Sequence, residues 1–283
     1  MAMIRPILDF FIFFSRHVIL AFLALLVLWA VLERYTSIPR HLARVSPGSR
    51  CRLCWIGGLV VLAVFVGIGG WYLGLDGFAG EVEPVVSSLS WLVQNGEPLY
   101  HDIDSPQRYS VLYGPSVFLT NGFFLDLLGP SLASAKIASL LGVLGSLLFF
   151  YAALAQGGRR WVALLMTGLA ALYLWSQGFA AYLVRPDALL LFAIGLALYA
   201  AARSSRLVAL VAFSVMLGFA VNLKVHAAVY FIPVAAILLK RFGWRPLVAS
   251  GLGSAAVIVA PCTLHPQVSA GNYLAWLKNA MDQ

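Results

Sequence analysis

Long apolar runs separated by short polar links dominate the chain. About 20 consecutive apolar residues carry a helix across the hydrocarbon core, where backbone groups have no water partner and helices are the default. Residues 8–32, 54–75, 132–156, 161–183, 188–202 with its flanks, and 246–264 form such runs. A longer run, 207–239, is broken by Asn222-Leu223-Lys224 and His226, which predicts two short passes or a re-entrant pair. The length rule then gives about eight membrane segments.

The pattern changes in residues 77–131. There Val85, Val86, Leu89, Leu92 and Val93 fall on one face of a helix over 84–94, starting at Glu83-Pro84 and stopping at Asn95-Gly96. A second helix is expected over 115–128, from Gly114-Pro115 to Gly129-Pro130-Ser131. Both are expected to lie along the membrane interface. The predicted fold class is all-α: a polytopic transmembrane helical bundle with interfacial helices in the first large extracytoplasmic loop. Three regions follow: an anchor helix with a basic cytoplasmic loop (1–53), a membrane core (54–264) containing loop 77–131, and an extracytoplasmic tail (265–283).

Composition agrees with the pattern: 61% of the residues are hydrophobic and 11% charged, far from a soluble domain. The net charge of +8 is concentrated in four links. Arg34, Arg40, Arg44, Arg50 and Arg52 occupy the first; Arg159-Arg160, Arg203 with Arg206, and Lys240-Arg241 with Arg245 mark the others. Basic links belong on the cytoplasmic side, so the charge implies membrane lipids as neighbours and no nucleic-acid partner. Residues 77–131, the Arg185-Pro186-Asp187 turn, Lys224 with His226, and the tail then share the opposite face. The 8–32 run lacks a small-x-small cleavage site and reads as an uncleaved anchor. Cys51 and Cys54 form an isolated C-x-x-C without the four ligands a zinc site wants.

Chemistry concentrates in the loop. Seven of the eleven acidic residues lie there or at its edge: Asp76, Glu81, Glu83, Glu97, Asp102, Asp104 and Asp126. Arg108 is the one basic residue of that interval. His101 with Asp102 and Asp104 is a candidate for a divalent cation, Mg²⁺ or Mn²⁺, which favour oxygen donors; the two aspartates equally suit Asx turns. Glu81 and Glu83 suit the first turn of the following helix. No P-loop, H-E-x-x-H, G-x-S-x-G or dinucleotide fingerprint is present.

The order of motifs resembles the GT-C class of integral-membrane glycosyltransferases, which take a sugar from a polyprenyl-phosphate carrier. A membrane helix is followed by Glu81-Val82-Glu83, then Gly96-Glu97-Pro98-Leu99-Tyr100 and Asp102, then Tyr113-Gly114-Pro115. Arg185-Pro186-Asp187 and Asn222-Leu223-Lys224 head later segments. The resemblance implies a polyprenyl-phosphate sugar as donor, a lipid, glycan or protein as acceptor, and a site on the extracytoplasmic face of the cytoplasmic membrane. It places Glu81 or Glu83 where that class carries its acidic catalytic residue.

Transfer chemistry needs a carboxylate to take the acceptor proton, which Glu81 or Glu83 would supply. It also needs cations for the departing phosphate, which Arg185 and Lys224 would supply as clamps. His101, Asp102, Asp104, Arg108, Tyr113, Asp187 and His226 are the further substrate-binding candidates. Lys224 and His226 also suit interfacial anchors, and Tyr113 an aromatic belt. Members of the class are commonly longer and often carry a soluble domain, leaving a fragment, a truncated product and an inactive relative as alternatives. Two other functions compete: a transporter component, supported by the broken segment at Lys224, and a non-catalytic membrane subunit sharing the fold.

Overall fold

The structure is a computed structural model and describes residues 47–106, 113–155, 160–176 and 181–281. The anchor run 8–32, most of the first basic link, Arg108 and Arg159 lie outside the described residues.

The described residues are 81% helical and contain no strand. Ten α-helices run in order among the described residues: α1 (Pro47–Leu73), α2 (Val82–Gln94), α3 (Pro115–Leu128), α4 (Leu132–Leu154), α5 (Arg160–Ser176), α6 (Pro186–Arg203), α7 (Arg206–Val221), α8 (Ile232–Phe242), α9 (Trp244–Leu264) and α10 (Ala270–Met281). A 3₁₀ helix, Val225–Phe231, leads into α8. Among the described residues, five helical stretches are long and apolar enough to cross a membrane: Cys54–Leu73, Leu132–Leu154, Pro186–Arg203, Val225–Phe242 and Trp244–Leu264. Helices α3, α5 and α7 are apolar but shorter. Exposed Leu207, Val208 and Val211 on α7, with Val248, Leu252 and Val259 on α9, form an apolar exterior suited to lipid contact.

The helix ends follow local chemistry. Pro115 and Pro186 each sit in a first turn, where a missing N–H costs nothing. The 222–224 break falls between α7 and the 3₁₀ helix, at the polar triplet that predicts it. Gly96 after α2 adopts φ +91°, a conformation that glycine takes without a Cβ clash.

The described residues divide into two compact units: those within 1–69 and 154–181, and those within 70–153 and 182–283. In the first, α1 and α5 approach closely at Gly58, where an added Cβ would sit 3.0 Å from the Leu164 side chain. Small residues let membrane helices meet this way. In the second, α2 packs on α3, and α7 packs on both α6 and α9. Val86, Val93, Val117, Phe118, Val184, Leu223 and Phe231 are buried in its core. The face of α2 that enters this core carries Glu83, Val86, Leu89, Ser90 and Val93. Helix α4 meets α6 at Gly142, whose absent Cβ would lie 2.9 Å from the Ala188 carbonyl.

Helix α9 contains an internal proline, Pro261. Without an N–H, Pro261 leaves the Val257 carbonyl one turn earlier unpaired. Asn222 fills that vacancy: its Nδ2 donates to the carbonyls of Val257 at 2.9 Å and Ile258 at 3.1 Å. Neighbouring side chains commonly satisfy such freed groups within a membrane. The same bonds fix the start of the 222–224 break.

Candidate functional site

The second unit brings together three segments that are far apart in sequence. Gly114 donates its N–H to the Leu223 carbonyl at 3.2 Å, and Ser116 donates to that of Asn222 at 3.3 Å. The Tyr113-Gly114-Pro115 turn is therefore seated on the 222–224 break. A Cβ on Gly114 would fall 2.0 Å from the Asn222 oxygen, so the close approach requires glycine. Lys224 leaves this junction with extended backbone, and its Nζ donates to Asp187 Oδ1 at 2.6 Å. Arg185 Nε lies 3.5 Å from Asp187 Oδ2. The Tyr113 ring faces Lys224 Nζ at 5.9 Å.

This produces two cations around one carboxylate. The three side chains are 34%, 37% and 19% exposed for Arg185, Asp187 and Lys224, so the group is sheltered yet reachable. Arg185 Nε is buried and lacks a hydrogen-bond partner among the described residues. A residual positive charge with an unused donor suits an anion. Arg185 is held in place by its neighbours: Pro186 restricts it to extended backbone, observed at φ −145° and ψ 163°, and its N–H donates to the Leu183 carbonyl at 2.7 Å.

The two glutamates differ sharply. Glu81 is exposed and makes no capping bond. Glu83 is 0% exposed. Its Oε1 accepts from the Tyr72 hydroxyl and from the Val184 N–H at 2.8 Å. Its Oε2 accepts from the N–H groups of Ala79 at 2.9 Å and Gly80 at 2.6 Å. Four donors use the acceptor capacity of a carboxylate, leaving none for a substrate hydroxyl. The expectation of Glu83 as an open base is corrected on that ground. Tyr182, close in sequence to Val184, is buried, with its ring centroid 6.5 Å from that of Tyr72.

Lys136, the one charge in its apolar run, has a role that periodicity does not reveal. It is fully buried, and its Nζ donates to the carbonyls of Tyr72 at 3.1 Å and Leu75 at 2.8 Å. These lie at the end of α1, where carbonyls lack helical partners and favour a cation. The signal available in the sequence was a solitary lysine one turn into an apolar helix.

His101, Asp102 and Asp104 form no ligand set. Asp102 Oδ1 accepts the Asp104 N–H at 2.9 Å in an Asx turn, and both aspartates are exposed. Among the described residues, no group of three or more His, Cys, Asp or Glu side chains is placed to hold a metal ion. The His101 carbonyl instead accepts from Trp276 Nε1 at 2.9 Å. Around it, Asn272 donates to the Tyr100 carbonyl at 2.9 Å, and the Tyr100 hydroxyl donates to the Tyr113 carbonyl at 2.7 Å. The Gly96–Tyr100 turn and α10 thus brace the Tyr113 end of the site. His226 is exposed, with its ring 6.2 Å from that of Tyr230, and among the described residues it joins neither ion pair of the Arg185 group. Arg108 lies outside the described residues.

An open apolar cleft of about 410 Å³ lies between α2, α3 and the start of α4, lined by Phe78, Trp91, Leu92, Leu125 and Leu132 among others. Family models, curated proteins and solved structures contain no match to the chain. The functional reading therefore rests on the chemistry of the site and the order of its motifs.

Proposed function

We propose that the protein is a membrane glycosyltransferase that moves a sugar from a polyprenyl-phosphate carrier to an acceptor on the extracytoplasmic face of the cytoplasmic membrane. One observation carries the reading: Tyr113-Gly114-Pro115, Arg185-Pro186-Asp187 and Asn222-Leu223-Lys224 meet, with Arg185 and Lys224 flanking Asp187. On this reading the chain crosses the membrane about eight times, with α5 and α7 as short passes, and the helices of loop 77–131 lie at the interface.

The acceptor hydroxyl attacks the anomeric carbon while the bond from that carbon to the phosphate oxygen breaks. Glu81, the exposed carboxylate, takes the hydroxyl proton. The bonding electrons leave on polyprenyl phosphate, whose charge Arg185 and Lys224 neutralise. The planar guanidinium suits two phosphate oxygens, and the ammonium supplies a compact charge. Asp187 keeps the cations apart and oriented until the phosphate arrives. The carrier chain needs an apolar surface, which the cleft beside α2 offers.

The test compares transfer from labelled polyprenyl-phosphate sugars by the native chain and by Glu81→Gln at matched membrane abundance. Loss of a catalytic base lowers turnover by about 10²–10⁴-fold. Unchanged turnover in Glu81→Gln rejects Glu81 as the base.

A further inference from the structure

We infer that Glu83 is a positioning residue, setting Arg185 for capture of the carrier phosphate through the intervening Val184 N–H. The inference rests on the transferase reading and assigns a role inside its site.

Glu83 is the first-turn carboxylate of α2, yet it serves several segments at once. It ties the Tyr72 hydroxyl at the end of α1, the N–H groups of the 79–80 turn, and the Val184 N–H that lies 101 residues away. Val184 is fully buried and directly precedes Arg185. Three restraints converge on this short segment: the Glu83–Val184 bond, the Arg185 N–H to Leu183 carbonyl turn, and the extended conformation that Pro186 imposes. The first of these joins the segment to α2. The Gly80 turn also abuts it, since a Cβ on Gly80 would meet the Leu183 side chain at 3.1 Å.

A glutamine at position 83 keeps the shape but replaces one acceptor oxygen with an NH₂ group. Whichever way it faces, it presents donors to donors, either at Tyr72 and Val184 or at Ala79 and Gly80. The 182–185 segment then loses its anchor or the turn beneath it shifts, and Arg185 moves relative to Asp187 and Lys224. Small misplacements of a clamp are costly because electrostatic capture depends on preorganised geometry. The consequence is weaker hold on the phosphate rather than loss of proton transfer.

The experiment is a double-mutant cycle over native, Glu83→Gln, Arg185→Ala and the combined variant. Two quantities are read: transfer kinetics with a polyprenyl-phosphate sugar, and the thermal shift produced by polyprenyl monophosphate. Glu83→Gln is expected to raise donor KM by about tenfold or more, with kcat changed less than about threefold and the pH–rate profile unmoved. The combined variant is expected to match Arg185→Ala, because both changes act through one clamp. A fall in kcat with loss of the acidic limb overturns the inference by making Glu83 the base. Additive losses in KM and thermal shift also overturn it, because they mark a general structural role. If the native chain transfers no sugar, the transferase reading fails separately, and the monophosphate cycle alone decides the positioning role by the same additivity rule. Should Glu83→Gln not accumulate folded, Tyr72→Phe replaces it, removing one of the four donors. It is expected to raise donor KM by about threefold, again without moving the pH profile; an unchanged KM overturns the inference.

Discussion

Replacing Gly114 with alanine tests the junction on which the site is built. The new Cβ would lie 2.0 Å from the Asn222 oxygen and 2.5 Å from its carbonyl carbon, both far inside ordinary contact, which begins at 3.4 Å. Both opposing atoms are backbone, so no flexible side-chain tip can swing away. Asn222 is itself held by two bonds to α9, which resists retreat. Relief therefore requires the 113–116 segment to lift, sacrificing the Gly114 and Ser116 backbone bonds. Two such bonds contribute about 1 kcal/mol each, and forced overpacking costs about 1–3 kcal/mol. The expected destabilisation is about 3–5 kcal/mol, or roughly 10–15 °C in Tm for a chain of this size. Thermal unfolding of purified native and Gly114→Ala protein in one detergent measures it. A Gly114→Ala Tm within about 2 °C of native, less than 1 kcal/mol, refutes the close approach and with it the seating of Tyr113 beside Lys224.

Lys136→Met keeps the length of the buried side chain but removes the donor of the Leu75 carbonyl and leaves the Tyr72 carbonyl with the Leu75 N–H alone; a loss of about 3 kcal/mol in chemical unfolding is expected. Asn222→Leu exposes the proline-freed Val257 carbonyl and is expected to cost about 1–2 kcal/mol. Adding Pro261→Ala to that variant restores the intrahelical donor, so the combined change costs less than the sum of the singles. Burial raises the phenol of Tyr100 well above its ordinary value and that of Tyr273 to about 12. Unfolded tyrosine loses its proton near pH 10, so the unfolded state deprotonates first. Stability is then full below pH 10 and falls as pH rises towards 12 and beyond, which Tm against pH and tyrosinate absorbance will show.

The sequence made the local features legible. Pro115 opens α3 and Leu128 ends it, as the Gly-Pro punctuation predicts, and the chain breaks at Asn222-Leu223-Lys224. Arg185, Asp187, Lys224 and Tyr113 stood out as polar residues at the heads of apolar runs, and the fold brings them together. Other features depend on partners remote in sequence. Periodicity places Glu83 in a first turn, but the Val184 N–H that helps bury it cannot be read from spacing. The role of Lys136 is not legible in the sequence because its partners are backbone carbonyls, which carry no residue-type signal. For His101, Asp102 and Asp104 composition leaves a cation site and Asx turns both open, and Asp102 is engaged by its own turn.

The most direct measurement is sugar transfer by the purified native chain in liposomes, with labelled polyprenyl-phosphate hexoses and pentoses and a mixed pool of lipid and glycan acceptors. The account predicts that label leaves at least one donor for an acceptor, and that Arg185→Ala and Lys224→Ala each reduce this transfer with their principal effect on donor KM. Label remaining on every donor at the protein-free background, with the chain shown to be folded, contradicts it.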